Sequence, residues 1–183
     1  MGGVDKALLE VGGVTMLDRV LAAAAPSCDH LVVVGPTRRT SVERVRFTLE
    51  PEPGGGPVPA VAAGLAAVPE SDVVVVLAVD LPLLEPAHVA TLLSSLEAAD
   101  GAAAAADHRG NPNPLLAAYR ADVLRDAIDA LGAGMPASSM LPHATAVVDL
   151  GEAGTLNVNE SADVDRAERA LHERILRARR QGR

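Results

Sequence analysis

Apolar and polar positions along the chain fall into two alternating textures. Short apolar runs bounded by turn residues read as strands, and stretches with apolar residues every three or four positions read as helices. The strand runs are His30–Gly35, Arg46–Leu49, Val73–Val79, Gly101–Ala106, Leu115–Tyr119 and Ala146–Leu150. The helical stretches are Thr15–Ala25, Val58–Val68, Pro86–Ala98, Ala121–Leu131 and Ala162–Arg180. Val73–Val79 is apolar at every position, the pattern of a strand at the centre of a parallel sheet with both faces covered. Ala102–Ala106 is helical by propensity, and only its place in the alternation makes it a strand. Thr40 and Glu43 have capping-box spacing, which predicts a helical turn before Arg46. Pro86 suits a first helical turn. The last helix opens on Asp163 and Asp165 and closes on Arg177, Arg179 and Arg180, in keeping with the helix dipole.

The alternation has no internal repeat and no long linker. It predicts one three-layer α/β/α domain over residues 1–183, with a mainly parallel sheet. One element is missing. Such sheets open with a central strand that feeds the first ligand loop, yet Met1–Lys6 is already loop. Val73–Val79 and His30–Gly35 then face each other across a gap, with buried backbone groups left unpaired. That cost leads us to expect that Met1 is an internal residue of a longer reading frame.

Composition narrows the function. Hydrophobic residues make up 49% of the chain, with one Phe, one Tyr and no Trp. Small aliphatics suit helix-on-sheet packing and offer no platform for stacking nucleobases of a single strand. The net charge of −8 argues against nucleic-acid or anionic-membrane surfaces, so an anionic ligand needs a local site. A single cysteine, Cys28, gives no disulfide framework and fits a reducing cytoplasm. No apolar run has the length of a membrane span, and the five histidines show no ligand spacing for zinc.

The candidate chemistry lies in a few segments. In Met1-Gly2-Gly3-Val4-Asp5-Lys6, glycines let backbone amides approach phosphate oxygens and Lys6 supplies a compact charge. Taken alone, this segment reads better as a frayed terminus with a solvated lysine. Asp80, in Val79-Asp80-Leu81-Pro82, follows the most apolar strand and stands at the carboxyl edge, where open α/β sheets bind ligands. One carboxylate plus substrate phosphates is a usual way to hold Mg²⁺. The loop Glu50–Gly64 contains Gly54-Gly55-Gly56-Pro57. It can lay backbone against a nucleotide while Glu50 or Glu52 reads a base or ribose, and it reads as well as a plain loop. Asn113, Asn157 and Asn159 fit substrate contacts or ordinary turns and caps. The Arg-rich stretch from Arg174 to Arg183 reads as a solvated helix end.

Taken in order, these segments resemble the molybdenum cofactor guanylyltransferase family of the nucleotide-diphospho-sugar-transferase-like superfamily. That family typically begins Leu-Ala-Gly-Gly-x-x-x-Arg-Met-Gly-Gly-x-Asp-Lys-x-Leu-Leu, and Met1–Leu9 matches its second half. Gly55-Gly56-Pro57-Val58-Pro59-Ala60 stands at the family's Gly-Pro-Leu-Ala-Gly loop, and Asp80 at its Asp-x-Pro. Asn113-Pro114-Leu115 stands where His-Pro-Leu is common, a departure at the pterin side. Leu156–Asp163 resembles the family's Asn-x-Asn-Thr-Pro-Glu-Asp.

The resemblance implies a Rossmann-like nucleotidyltransferase fold and transfer of GMP from GTP to molybdopterin, with release of pyrophosphate. It implies Lys6 and Asp80 as catalytic residues and Asp80 as the Mg²⁺ ligand. It implies nucleotide contacts from Gly2, Gly3, Glu50 or Glu52, Gly55, Gly56 and Pro57, and substrate contacts from Asn113, Asn157 and Asn159. Partners would be GTP, molybdopterin and molybdenum cofactor assembly proteins. Two other readings stand: a related cytidylyl- or sugar-phosphate nucleotidyltransferase, or an inactive homologue kept for binding, favoured only by the missing start of the loop.

Overall fold

The computed structural model describes residues 5–52, 54–68, 70–132 and 134–181. A 3₁₀ turn at Lys6–Leu8 leads into a hairpin, β1 (Glu10–Val11) and β2 (Val14–Thr15). Gly12 and Gly13 make its turn, with φ of 60° and 74°. Then follow α1 (Met16–Ala24), β3 (Leu31–Val34), β4 (Val45–Thr48), α2 (Pro57–Ala67), β5 (Val73–Leu77) and α3 (Pro86–Glu97). The chain continues through β6 (Ala102–Ala106), β7 (Pro112–Arg120), α4 (Ala121–Asp129), β8 (Thr145–Val148), α5 (Gly151–Thr155) and α6 (Ser161–Gln181).

Each strand and helix read from the pattern is present, with ends moved by a residue or a few. The hairpin and α5 are too short to leave a periodic signal. The helical turn expected from Thr40 and Glu43 is absent. Residues 37–44 are irregular, and the Thr40 hydroxyl donates to the Val42 carbonyl (2.8 Å) instead of capping a turn.

The strands form three ladders. β1 pairs antiparallel with β2, and β3 pairs parallel with β4. The third has the order β5-β7-β6-β8. Here β5, β6 and β8 run one way, as a mainly parallel sheet requires, and β7 runs against them. The centre of this sheet is β6 and β7, and Ala102–Ala105 and Leu116–Tyr119 are fully buried. Alanines let α3 lie close, so Leu92 and Leu96 pack with Ala103 and Ala105 on one face. Tyr119, Leu124 and Met140 pack with Ala102 and Ala104 on the other.

Val73–Val79 departs from its reading as a central parallel strand. β5 meets antiparallel β7 on one edge, and no described strand pairs with its other edge. Its residues, like those of β3, are only half-buried. The hydrophobic pattern reports which faces a strand covers and is blind to its edges, so the run looked like a central strand.

Local chemistry sets the helix starts. The Thr15 hydroxyl accepts from the Asp18 amide (3.1 Å) and caps α1. At α3, the Glu85 amide donates to His88 Nδ1 (3.1 Å), with Pro86 in the first turn. α2 starts at Pro57 behind Gly56, whose φ of 92° and ψ of −169° only glycine adopts freely. A side chain at Gly56 would meet no atom within 4 Å, so its constraint is backbone alone. Gly56→Ala is therefore expected to cost about 1–3 kcal/mol in urea unfolding. Gly132→Ala, at a site with equal space and no positive φ, should stay within about 0.5 kcal/mol of the parent.

Candidate active site

The carboxyl ends of β3 and β5 converge on the first described residues. Beyond β3, Arg38 reaches back to Asp5, its Nε donating to Oδ2 at 3.0 Å. Beyond β5, Asp80 meets Lys6, with Nζ 3.3 Å from Oδ2. The same ammonium donates to Asn159 Oδ1 at 2.8 Å. Two ligand-edge loops and the segment before α6 thus meet at two adjacent residues.

Apolar alternation holds this arrangement. Leu156 and Val158 are buried with Val11, Met16 and Leu83, while Asn157 and Asn159 lie exposed on the opposite side. The Val158 amide donates to the Asp80 carbonyl (3.0 Å), which fixes the Asn segment against the loop after β5. The Asp163 carboxylate accepts from the Asn159 and Glu160 amides, both at 2.9 Å. Those two bonds hold its carboxyl below the usual aspartate range.

Polar groups left over mark where a ligand would sit. Asp80 Oδ1 is buried with no described hydrogen-bond partner, and Glu50 Oε2, beyond the end of β4, is in the same state. Buried carboxylate oxygens without donors are rare, because each loses its hydration without replacement. For Asp80 the orphan oxygen beside a cation fits a hard metal ion with substrate phosphates. Among the described residues no cluster of three His, Cys, Asp or Glu forms a metal cage, so substrate oxygens would complete the shell.

The structure therefore brings Lys6, Asp80 and Asn159 into contact and puts Asn157 on the same face. Asn113 lies at the same end, because β7 runs opposite to β5 and the Ala78 amide donates to the Leu115 carbonyl (2.7 Å). Its own side-chain oxygen is engaged by the Leu115 amide (3.0 Å). Glu50, Gly55, Gly56 and Pro57 lie apart from the lysine, on the loop from β4 into α2, where the Gly134 amide holds the Gly55 carbonyl (3.2 Å). Glu52 is exposed on that loop. Gly2 and Gly3 fall outside the described residues.

Arg38 and its pairing with Asp5 escaped the sequence reading. The signal was the one used for Asp80, a charged residue just past a buried strand. Arg174, in the stretch read as a solvated helix end, stays partly exposed and pairs with Glu85 at the start of α3 (2.9 Å). A groove of 520 Å³ between Gly12 and the Glu168–Ile175 face of α6 contains none of these groups.

A lysine, a carboxylate with one buried unpartnered oxygen and, apart from them, a glycine loop lie past strand ends of a mixed α/β sheet, the edge where such folds bind ligands. Comparison with known proteins makes the class specific. Residues 1–146 match the model of the MobA-like NTP transferase domain, and the chain belongs to that family. It is a nucleotidyltransferase. A probable molybdenum cofactor guanylyltransferase of Natronomonas pharaonis is 31% identical over 191 residues, covering 96% of this chain and 92% of that protein. A molybdenum cofactor guanylyltransferase of Shewanella sp. is 27% identical over 118 residues, covering 63% and 60%.

Solved structures share the fold. Molybdopterin-guanine dinucleotide biosynthesis protein A of Archaeoglobus fulgidus aligns with a TM-score of 0.65 at 21% identity, over 93% of this chain and 92% of that one. The 2-C-methyl-D-erythritol 4-phosphate cytidylyltransferase of Thermus thermophilus aligns at 0.69 and 24%, over 91% and 94%.

The Asp163 cap gives a pH signature. A carboxyl with a depressed folded pKa stabilises the fold above its unfolded value, and that contribution is lost as pH falls through the folded value. Carboxyl NMR should show Asp163 titrating below 3.8, with the Asn159 amide shifting in step. A midpoint at or above 3.8 would remove the cap from the site.

Proposed function

We propose that this chain transfers GMP from GTP to molybdopterin, with Mg²⁺ and with release of pyrophosphate. The observation that carries the reading is Asp80, whose buried Oδ1 has no described partner while Oδ2 faces Lys6. The family and the guanylyltransferase relatives support the substrates.

A phosphate oxygen of the acceptor attacks the α-phosphorus of GTP. The bond from that phosphorus to the bridging oxygen breaks, and pyrophosphate leaves with the electron pair. The step needs alignment and charge neutralisation more than an acid–base pair. When bound, Mg²⁺ supplies positive charge to the phosphate oxygens, and Asp80 is the residue that would hold it.

Lys6 Nζ is shared between Asp80 and Asn159, and the Lys6 side chain is about one-third exposed, so phosphates can draw it away from them. It then offsets charge on the leaving pyrophosphate. Asn159, freed of the ammonium, turns its amide to substrate beside Asn157, and Asn113 lies at the same edge. The glycines before Pro57 bring backbone close to the nucleoside.

Glu50 is the acidic residue that would read the base, and Glu52 is not needed for it. Guanine offers two adjacent N–H donors on its Watson–Crick edge, which match the two oxygens of a carboxylate. Cytosine offers one donor next to a ring acceptor that would face a carboxylate oxygen. The orphan Glu50 Oε2 therefore favours guanine over the cytidylyl reading that the Thermus neighbour raises. The reaction belongs in a reducing cytoplasm, which suits the single Cys28, alongside molybdenum cofactor assembly proteins that hold the acceptor.

Pyrophosphate release from GTP with Mg²⁺ and molybdopterin tests the reading. Asp80→Ala should lower kcat by about 10²–10³ or more, and unchanged turnover would rule out the metal assignment. Glu50→Gln should lower kcat/KM for GTP about tenfold or more through loss of a charged hydrogen bond, with CTP little affected. Glu52→Gln should leave both unchanged; an effect confined to Glu52→Gln would reverse the assignment.

A further inference from the structure

The start of α3 and the short helix α5 meet at a histidine that the reaction above does not use. The Glu85 amide donates to His88 Nδ1 (3.1 Å). That nitrogen therefore carries no proton, and the neutral ring keeps its hydrogen on Nε2. The far edge of the ring lies on α5. A Cβ added at Gly154 would stand 3.1 Å from both Cε1 and Nε2, so the ring rests directly on the helix backbone.

Few charges surround the ring. Glu85, at the head of α3, is held by Arg174 of α6 (2.9 Å). Glu152, the one charged residue of α5, is exposed and pairs with Arg166. Asp149, before α5, accepts from the Gly151 amide (2.8 Å). Residues 81–84 and β8 carry no charge. Burial pushes the His88 imidazole below the usual histidine value; Glu85 opposes that and Arg174 adds to it.

α5 leads straight into the asparagines of the ligand edge. Only residues 155–158 lie between Gly154 and Asn159. Leu156 and Val158 are buried with Leu83, and the Val158 amide donates to the Asp80 carbonyl (3.0 Å). Asn159 Oδ1 accepts from the Lys6 ammonium (2.8 Å). A proton added at His88 Nδ1 would set two donors face to face, so the ring must leave the Glu85 amide. Gly154 closes one side, and the Arg174 guanidinium repels the new charge. α5 has five residues and no side-chain cap, so it is the element that yields.

We propose that His88 is a positioning residue for the ligand edge: its ring, bonded to Glu85 and seated on Gly154, holds α5 and thereby Asn157 and Asn159 in place, and protonation of the ring releases them. The neutral ring is the form that the fold favours. The hold is therefore complete at high pH and is lost as pH falls through the value of His88 in the fold. The Lys6–Asn159 contact forms without substrate, so the release is independent of the nucleotide that the edge binds.

NMR on the full chain from about pH 8 to about pH 5 tests this. The His88 ring should titrate below 6.5, and the Asn159 side-chain amide should shift with the same midpoint. Hydrogen exchange at the Val158 amide, corrected for its intrinsic pH dependence, should speed up about tenfold or more across that midpoint. His88→Gln keeps an acceptor for the Glu85 amide and gains no proton, so it should hold the high-pH shifts throughout. His88→Leu should show the low-pH shifts throughout. Gly154→Ala, whose methyl crowds the ring, should show them already at about pH 8. Pyrophosphate release, a readout that rests on the proposed reaction, should fall with the same midpoint in the parent and not in His88→Gln. Turnover absent at every pH would count against that reaction alone, because the NMR signals are read without substrate.

Three outcomes would overturn the role of His88: Asn159 and Val158 unmoved while the ring titrates, the same transition in His88→Gln, or Gly154→Ala indistinguishable from the parent at high pH.

Discussion

A single ammonium group joins two loops that lie far apart in the chain. Lys6 Nζ lies between Asp80, which follows β5, and Asn159, which precedes α6. The group is partly exposed, so the pair is worth at most about 1 kcal/mol of stability. Its importance is positional. Far stronger apolar packing does the placing: Leu156 and Val158 sink into the core beside Leu83, and their polar neighbours are left at the edge. The Val158 amide then closes on the Asp80 carbonyl. The ion pair reads out an arrangement that burial has already made.

Under the proposed function, that arrangement would let a lysine and two carboxylates serve a reaction without a general base. Nucleotidyl transfer asks for alignment and for charge to be neutralised as pyrophosphate departs. One Asp80 oxygen is paired with Lys6 and the other is buried without a described donor. Glu50, on the loop from β4 into α2, also has one buried oxygen without a described donor. Both orphan oxygens stand past the carboxyl ends of strands, where helix-covered sheets leave a crevice.

Most of the architecture was legible in the pattern of apolar positions, because six strands and five helices each had to cover a face. The Lys6, Asp80 and Asn159 site was legible as three separate segments, through the rule that ligands collect after strands and through resemblance. Glu50 and Glu52 were indistinguishable until burial separated them: one has a buried orphan oxygen and the other is exposed. Arg38 was missed because an arginine in a polar loop looks solvated until its partner Asp5 is placed. Thr40 and Glu43 carried the right letters for a cap, but no helix followed for them to cap.

The order of residues alone was enough to define the class of fold, the succession of its elements, and Lys6 and Asp80 as charged residues at the carboxyl edge. Those depend on local periodicity and on which side chains water excludes, and both are properties of neighbouring residues. Folding in three dimensions was needed to settle which edges of those strands are paired among the described residues, and that β7 runs against its neighbours. Pairing is a relation between residues far apart in the chain, and a hydrophobic run has the same spelling at the middle of a sheet as at its edge.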